Sequence, residues 1–363
     1  MQSSSGQHFI ALDHVRALAA FMVLSWHFLH GAHGHPVPFG YAPALFPTAL
    51  LDEGHVGVAL FMTLSGYLFA KLLDARRVAY GAFLWNRALR LLPLLLAMIT
   101  VVGLREWIAG NDIAAYLRSV ASGWLLPTLP KGGWSITVEF HFYVILPLLL
   151  WLSSRSRSLP LVVIGGSIAL RTSVYLAYSE VESLAYWTII GRIDQFVLGM
   201  SAFGFRSAIV PHRSAVISIL LAFCAFYWFV DSLGGAFGAA PALWIVLPTI
   251  EGFAFAVGIA WYDTAFVQRT SLLSRFIGRM GEYSYSIYLV HVLVIFKIAT
   301  FIDAHVMHLS NFYIACSWSL LCFLAMAPIG YLSYRFIESP FLRFRKPYFR
   351  PAQPKIEDSL SRC

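Results

Sequence analysis

The first apolar stretch of the chain carries three ionisable residues whose spacing could support proton transfer or anion binding. It runs HFIALDHVRALAAFMVLSWHFLHG from His8 to Gly31, long enough for a helix to cross a bilayer. Arg16 and His27 are eleven residues apart, which places them about 20° apart on one helical face and about 16 Å apart along its axis. Asp13 shares that face, three residues before Arg16. Because ionisable side chains are costly in lipid, the pattern predicts a polar face that lines a functional path.

His27 is the candidate general base of this face. A neutral imidazole can take a proton from a hydroxyl group near pH 7. The alternative is a core histidine that bonds to a neighbouring helix. His30, His33 and His35 follow in a Gly/Pro-rich loop, but no acidic residue or cysteine has a suitable spacing, so we expect no metal site there.

Two other apolar segments carry charges that suit the same chemistry. Arg87 and Arg90, in WNRALRLLP, are three residues apart and share a face at the predicted cytoplasmic end of a span. Guanidinium groups bind phosphate well. The alternative is that these side chains, at a membrane boundary, only extend their charged ends into water. Glu139, in WSITVEFHFY, lies five residues into its span and needs a partner or a cavity. If that span begins at the outer surface, Glu139 and His27 lie at comparable depth and can make contact.

Three later segments, GRIDQFVLGM, GEYSYSIYLVH and YRFIESPF, carry the remaining candidates. In the first, two charges at i and i+2 cannot face each other, so each needs another partner. In the last, two charges at i and i+3 form either a structural ion pair or part of a site. These residues are Arg192 and Asp194, Tyr288 and His291, and Arg335 and Glu338.

The composition is that of a polytopic membrane protein. The 363 residues are 59% hydrophobic and only 12% charged, where a soluble protein has about 25% charged residues. The net charge of +8 is explained by basic residues in cytoplasmic loops rather than by nucleic-acid binding. The four cysteines have no metal-site spacing and are expected to be buried and reduced.

Hydrophobic patterning predicts an all-α fold of about ten transmembrane helices in one bundle. With the N-terminus inside, nineteen basic residues fall on the cytoplasmic side and three on the outer side. This asymmetry predicts cytoplasmic termini in the inner (cytoplasmic) membrane. The predicted spans are 9–30, 54–72, 89–108, 134–152, 159–178, 184–205, 214–231, 240–262, 282–302 and 312–336.

The ordered set of motifs resembles the acyltransferase-3 family of membrane acyltransferases. The matching segments are ALDHVRALAAFMVLSWH, GVALFMTLSGYLF, NRALRLLP, WSITVEFHFY, GRIDQFVLG, GEYSYSIYLVH and YRFIESPF, which extend over residues 11–341. The resemblance implies transfer of an acyl group, often acetyl, to a hydroxyl of a glycan, glycolipid or other acceptor. It also implies that His27 and Arg16 are essential, with Glu139, Arg90 and Glu338 as helpers. We expect one acyltransferase domain at 1–346, a disordered cytoplasmic tail at 347–363 and no SGNH domain.

These elements predict a path for the acyl group. Acyl-CoA, with acetyl-CoA as the first choice, would place its phosphates among Arg87, Arg90 and Arg335 at the cytoplasmic side and its thioester near His27. His27 would deprotonate the acceptor hydroxyl or carry the acyl group covalently, and Glu139 would orient the imidazole. The alternatives are a transporter or flippase, which also has charges inside a helical bundle, and a non-catalytic sensor or scaffold.

Overall fold

A computed structural model describes residues 9–31, 36–74, 78–156, 158–266 and 271–349 of the chain. His33 and His35, of the histidine-rich loop, lie outside these described residues. So do residues 350–363, which are most of the predicted tail.

The described residues form α-helices and no β-strand, which confirms the all-α prediction. Ten of the helices in this part of the chain have 17 residues or more. Shorter helices connect them, among them Glu182–Trp187, Leu272–Glu282 and Ser339–Leu342. The long helices are α1 (Ile10–Leu29), α2 (Gly57–Leu73), α3 (Tyr80–Ile108), α4 (Trp134–Arg155), α5 (Leu159–Tyr178), α6 (Ile189–Ile209), α7 (Arg213–Ser232), α8 (Leu247–Ala265), α9 (Ser284–His305) and α10 (Phe312–Ser333).

Each predicted span falls on one of these long helices, but three helix starts differ from the predicted ones by five residues or more. α3 begins at Tyr80, nine residues before the predicted start, because no proline interrupts the chain before Pro93. Arg87 and Arg90 therefore lie inside the helix rather than at its end. α6 and α8 begin later than predicted, at Ile189 and Leu247, because a short helix or a 3₁₀ turn precedes each of them.

Seven segments have the length and apolar composition of membrane-crossing helices, so the chain is a multi-pass membrane protein. The predicted number of about ten crossings stays a prediction. The three other long helices, α1, α6 and α8, carry ionisable residues and lie inside the bundle, where α6 packs against both α2 and α8. Polar residues on such helices can face protein rather than lipid.

Small residues bring the central helices into close contact. A Cβ atom added at Gly66 of α2 would lie 2.0 Å from the carbonyl oxygen of Phe196 in α6. One added at Gly57 would lie 2.6 Å from the carbonyl oxygen of Ala19 in α1. These positions confirm that the glycines of the GHVGVALFMTLSGYLF segment serve helix packing.

The beginning of the predicted tail packs against the bundle instead of being disordered. The backbone N–H of Ala79 donates to the carbonyl oxygen of Tyr348 at 2.7 Å, and Val78 and Phe349 form an isolated β-bridge. The Tyr348 side chain is buried. Residues 348 and 349 therefore pack at the start of α3, where the Tyr348 ring covers apolar surface, and the predicted domain boundary at 346 stays a prediction.

Candidate functional site

One polar cavity lies inside the bundle, between α1, α2, α3, α4 and α9. Its volume is about 200 Å³. Apolar side chains of α2 form much of its wall, and ionisable groups from several elements complete it. The charged lining residues are Asp13, Arg16, Arg87, Arg90, Glu139, Glu282 and Arg345. Residues far apart in sequence thus meet in one chamber, as the polar path predicted for α1 requires.

Arg16 projects from α1 into this cavity together with Asp13. Its Nη1 donates to Asp13 Oδ1 at 2.5 Å, as the i, i+3 spacing predicts. Asp13 is almost completely buried, whereas the Arg16 side chain is 31% exposed. Arg16 is therefore held in place by the acid and still presents part of its guanidinium to the cavity.

Arg87 and Arg90 reach the cavity from the first turns of α3. Arg90 Nη1 lies 3.8 Å from Glu338 Oε2, and Arg90 Nη2 donates to the carbonyl oxygen of Glu282. The guanidinium of Arg87 lies over the rings of Phe69 and Phe83. Arg87 Nε has no hydrogen-bond partner among the described residues. The positive charge of Arg87, which lines the cavity, suits an anion that enters it.

Glu139 also lines this cavity, which corrects its predicted position beside His27. Its carboxylate accepts a hydrogen bond from the hydroxyl of Tyr143, and it interacts electrostatically with Arg87, Arg16 and Arg90. No hydrogen bond joins it to His27 among the described residues. Sequence reasoning could not place Glu139 because its partners lie on other helices: Arg16 on α1 and Arg87 and Arg90 on α3.

His27 lies outside the cavity wall and is oriented by α9 and its own helix. Its Nδ1 lies 2.8 Å from the carbonyl oxygen of Val23 and 3.2 Å from Nε2 of His291. Because a carbonyl oxygen only accepts, His27 carries its proton on Nδ1. The carbonyl oxygen of Ile287 lies 3.0 Å from His291 Nδ1 and fixes that ring in the same way, so His291 Nε2 is an acceptor.

This tautomer leaves Nε2 of His27 with a lone pair. The atom makes no hydrogen bond to any residue that the structure describes, and the side chain is only half-buried. An unprotonated, unpaired Nε2 is the form that a general base needs.

Tyr288 connects the cavity to the two histidines. It lines the cavity, and its hydroxyl lies 2.8 Å from Ser135 Oγ, which donates to it. Its ring centroid is 5.9 Å from that of His291, and the His291 centroid is 5.0 Å from that of His27. Ring contacts therefore run from Tyr288 in the cavity wall through His291 to His27.

Arg192 and Asp194 have separate partners, as their i, i+2 spacing predicts, but neither lines the cavity. Asp194 accepts from Arg171 Nη2 at 2.7 Å, with both side chains fully buried. Arg192 donates to the carbonyl oxygen of Tyr186 and to Gln195, and its guanidinium lies over the Tyr186 ring. These bonds give both residues a role in holding helices together rather than in the substrate path predicted for them.

Arg335 is exposed, does not line the cavity and makes no ion pair with Glu338 among the described residues. Its predicted role in phosphate binding is therefore not supported. One turn of π-helix, Tyr334–Glu338, changes the spacing that an α-helix would give this pair. Glu338 instead interacts with Arg90 and accepts a hydrogen bond from Ser286. Arg345 replaces Arg335 in the cavity wall.

Arg345 and Glu282 are the charged cavity residues that the sequence pattern did not single out. Arg345 belongs to a basic segment that reads as an ordinary cytoplasmic tail, RFRKPYFR. Glu282 ends the short helix Leu272–Glu282, just before α9. A signal for Arg345 was present only as aromatic residues among the basic ones, because aromatic side chains favour packing over disorder.

Comparison with known proteins places the chain among membrane acyltransferases. It is 29% identical over 196 residues to the “Putative membrane-bound transacylase BcsY” of Komagataeibacter xylinus, which covers 47% of this chain and 50% of that protein. It is 26% identical over 265 residues to the peptidoglycan O-acetyltransferase OatA of Listeria monocytogenes, which covers 61% of this chain and 39% of that protein. The matched part thus spans half or less of each relative. No solved structure matches the chain.

Residues 9–333 match the acyltransferase-3 family, described as an acyltransferase domain. The match extends over nearly all the described helices and includes every motif from the first helix to the end of α10. The chain belongs to the acyltransferase-3 family, as its ordered motifs predict.

Proposed function

We propose that the protein transfers an acyl group, with acetyl as the first choice, from cytoplasmic acyl-CoA to a hydroxyl of a glycan, glycolipid or other acceptor. The observation that carries this proposal is the cavity itself. Arg16, Arg87 and Arg90 line it, and it ends at Tyr288, against the His27–His291 pair. The cavity therefore gathers positive charges close to the pair that contains the candidate base.

The size of the cavity determines which part of the donor it can hold. About 200 Å³ is below the roughly 300–1,000 Å³ that encloses a drug-sized ligand. It fits a thin acylated pantetheine arm better than a whole coenzyme. The nucleotide would stay at the end where α1 begins and α2 ends, which is the predicted cytoplasmic side of an inner-membrane protein with both termini inside.

The chemical step then follows from the tautomer of His27. Nε2 of His27 takes the proton of the acceptor hydroxyl while the hydroxyl oxygen attacks the thioester carbonyl carbon. A carbon–oxygen bond forms, the carbon–sulfur bond breaks, and the CoA thiolate leaves and takes the proton from His27. Arg16 and Glu139 act in the chamber, where Arg16 offsets negative charge of the donor and Glu139 reduces the mutual repulsion of the arginines.

Labelled acetyl-CoA tests the proposal directly. Membranes that contain the protein should transfer label to a glycan or lipid, and mass spectrometry of surface glycans and lipids with and without the gene should identify the acylated acceptor. His27→Ala should abolish transfer at normal expression, whereas His305→Ala, an exposed histidine on α9, should not. Export of an unlabelled substrate without acyl transfer would instead support a transporter or flippase.

A further inference from the structure

The segment Arg343–Phe349, here called the C-terminal strap, crosses the start of α3. The side chain of Asn86 is bonded twice to the strap: Nδ2 donates to the carbonyl oxygen of Lys346 at 2.7 Å, and Oδ1 accepts from its N–H at 2.9 Å. The buried ring of Tyr348 packs against that of Phe83, with centroids 5.7 Å apart. Two-point backbone bonding and a buried aromatic ring fix the register of the strap on the helix.

This register places Arg345 in the wall of the cavity, near Arg87 and Arg90. Burial, followed by the positive charges of Arg90 and Arg87, lowers the pKa of Arg345 to about 10. Arg345 is still charged at neutral pH, so three guanidinium groups from α3 and the strap lie within each other's electrostatic field. Like charges gathered at a cavity are stabilised when an anion binds between them.

The acidic residues around this cluster already have partners. Glu338 lies within ion-pair distance of Arg90, and the main-chain carbonyl oxygen of Glu282 accepts a hydrogen bond from Arg90. Glu139 accepts a hydrogen bond from Tyr143, and Asp13 forms an ion pair with Arg16. What the cluster presents at the cavity wall to a ligand from outside the protein is thus the guanidinium charge of Arg87, Arg90 and Arg345.

We propose that the C-terminal strap presents Arg345 to the phosphate groups of the donor, so that Arg87, Arg90 and Arg345 form one diphosphate-binding site at the strap end of the cavity. The inference rests on the proposed function, because the diphosphate belongs to acyl-CoA. Guanidinium groups bind phosphate oxygens in a bidentate manner, which a lysine at the same place cannot reproduce. Arg345 is a donor-binding residue in this proposal, and Asn86 positions the strap that carries it.

Calorimetric binding of CoA and of inorganic pyrophosphate to the purified full-length protein tests the site. Arg345→Ala should weaken both ligands about 10- to 100-fold, the usual effect of losing a charge-assisted hydrogen bond, and Arg345→Lys should fall between it and the unmodified protein. Arg343→Ala is the matched control, because Arg343 is exposed and lies over Phe344 rather than in the cavity. It should change either affinity less than about twofold.

A second variant separates the strap from the charge. Asn86→Ala keeps Arg345 but removes both hydrogen bonds to Lys346, so it should also weaken the binding of CoA and of pyrophosphate. An unchanged melting temperature of this variant would show that the helix bundle is intact. Unchanged binding in Arg345→Ala would overturn the inference, as would failure of the unmodified protein to bind either ligand. If pyrophosphate binds through Arg345 but CoA binds no more tightly than pyrophosphate, the result supports the anion site and contradicts the proposal that acyl-CoA is the donor.

Discussion

His291 offers the sharpest test of how His27 is prepared for catalysis. Replacing His291 by alanine removes the acceptor that lies 3.2 Å from His27 Nδ1. The carbonyl oxygen of Val23, at 2.8 Å, still accepts from the same N–H. The tautomer of His27 should therefore survive, but its ring loses one of two contacts that fix its orientation. His291 acts in this view as a positioning residue and not as the base.

The structure sets the size of the expected effect. One hydrogen bond between neutral groups contributes about 1 kcal/mol, and about 1.4 kcal/mol corresponds to a tenfold change. His291→Ala should thus lower kcat about three- to tenfold. Loss of the general base itself should cost about 10²- to 10⁴-fold, so His27→Ala must be far more damaging. The KM for the acyl donor should stay the same in His291→Ala, because His291 does not line the cavity.

Initial rates of acetyl transfer to the acceptor identified by mass spectrometry measure this difference. His291→Gln supplies a carbonyl acceptor in place of the imidazole nitrogen and should recover part of kcat, which a purely structural role would not predict. His305→Ala again serves as the control. The reasoning is refuted if His291→Ala keeps full kcat, or if it is as inactive as His27→Ala while its melting temperature is unchanged.

Three further predictions concern the framework of the site. Gly66→Leu should destabilise the protein by about 1–3 kcal/mol or more, seen as a lower melting temperature, because its Cβ meets the α6 backbone at 2.0 Å; an unchanged melting temperature would contradict the packing. Arg171→Met should lower the free energy of unfolding by about 3–5 kcal/mol, because it leaves Asp194 without its buried ion-pair partner. The double variant Arg171→Met with Asp194→Leu should recover much of that stability. Burial alone would raise the pKa of Glu53, but the hydrogen bond and charge of His55 bring it below the ordinary 4.5. Glu53 therefore contributes stability above about pH 4.5 that is lost as the pH falls through its folded pKa, so the melting temperature should drop as the pH is lowered below about 4.5, and drop less in Glu53→Gln.

The helices could be predicted from the sequence because a bilayer imposes length and apolarity on each span. The face shared by Asp13 and Arg16 followed from helical periodicity and is present. Partners across helices could not be predicted in this way. His27 contacts His291, which is 264 positions away, and Asp194 forms an ion pair with Arg171. The spacing of residues within one helix does not predict either contact.

Glu139 and Arg345 show why depth and disorder are difficult to infer from sequence. Counting helix rise gives a position along one helix axis but not the side chains that neighbouring helices bring to it, and Glu139 lies with the arginines of α1 and α3. The basic segment around Arg345 has the charge of a solvated tail. Its packing depends on Asn86 and Phe83, more than 250 positions earlier, which fix the strap after the bundle has formed.

The distance between Arg16 and His27 finally acquires a physical meaning from the two environments at its ends. Arg16 lines the cavity with Arg87 and Arg90, whereas His27 lies beyond Tyr288 with a free Nε2. About 16 Å of helix therefore separates the place where charge can be bound from the place where a proton can be taken. A donor that has its phosphates at one end of a thin arm and its reactive carbonyl at the other has the shape that such a separation requires.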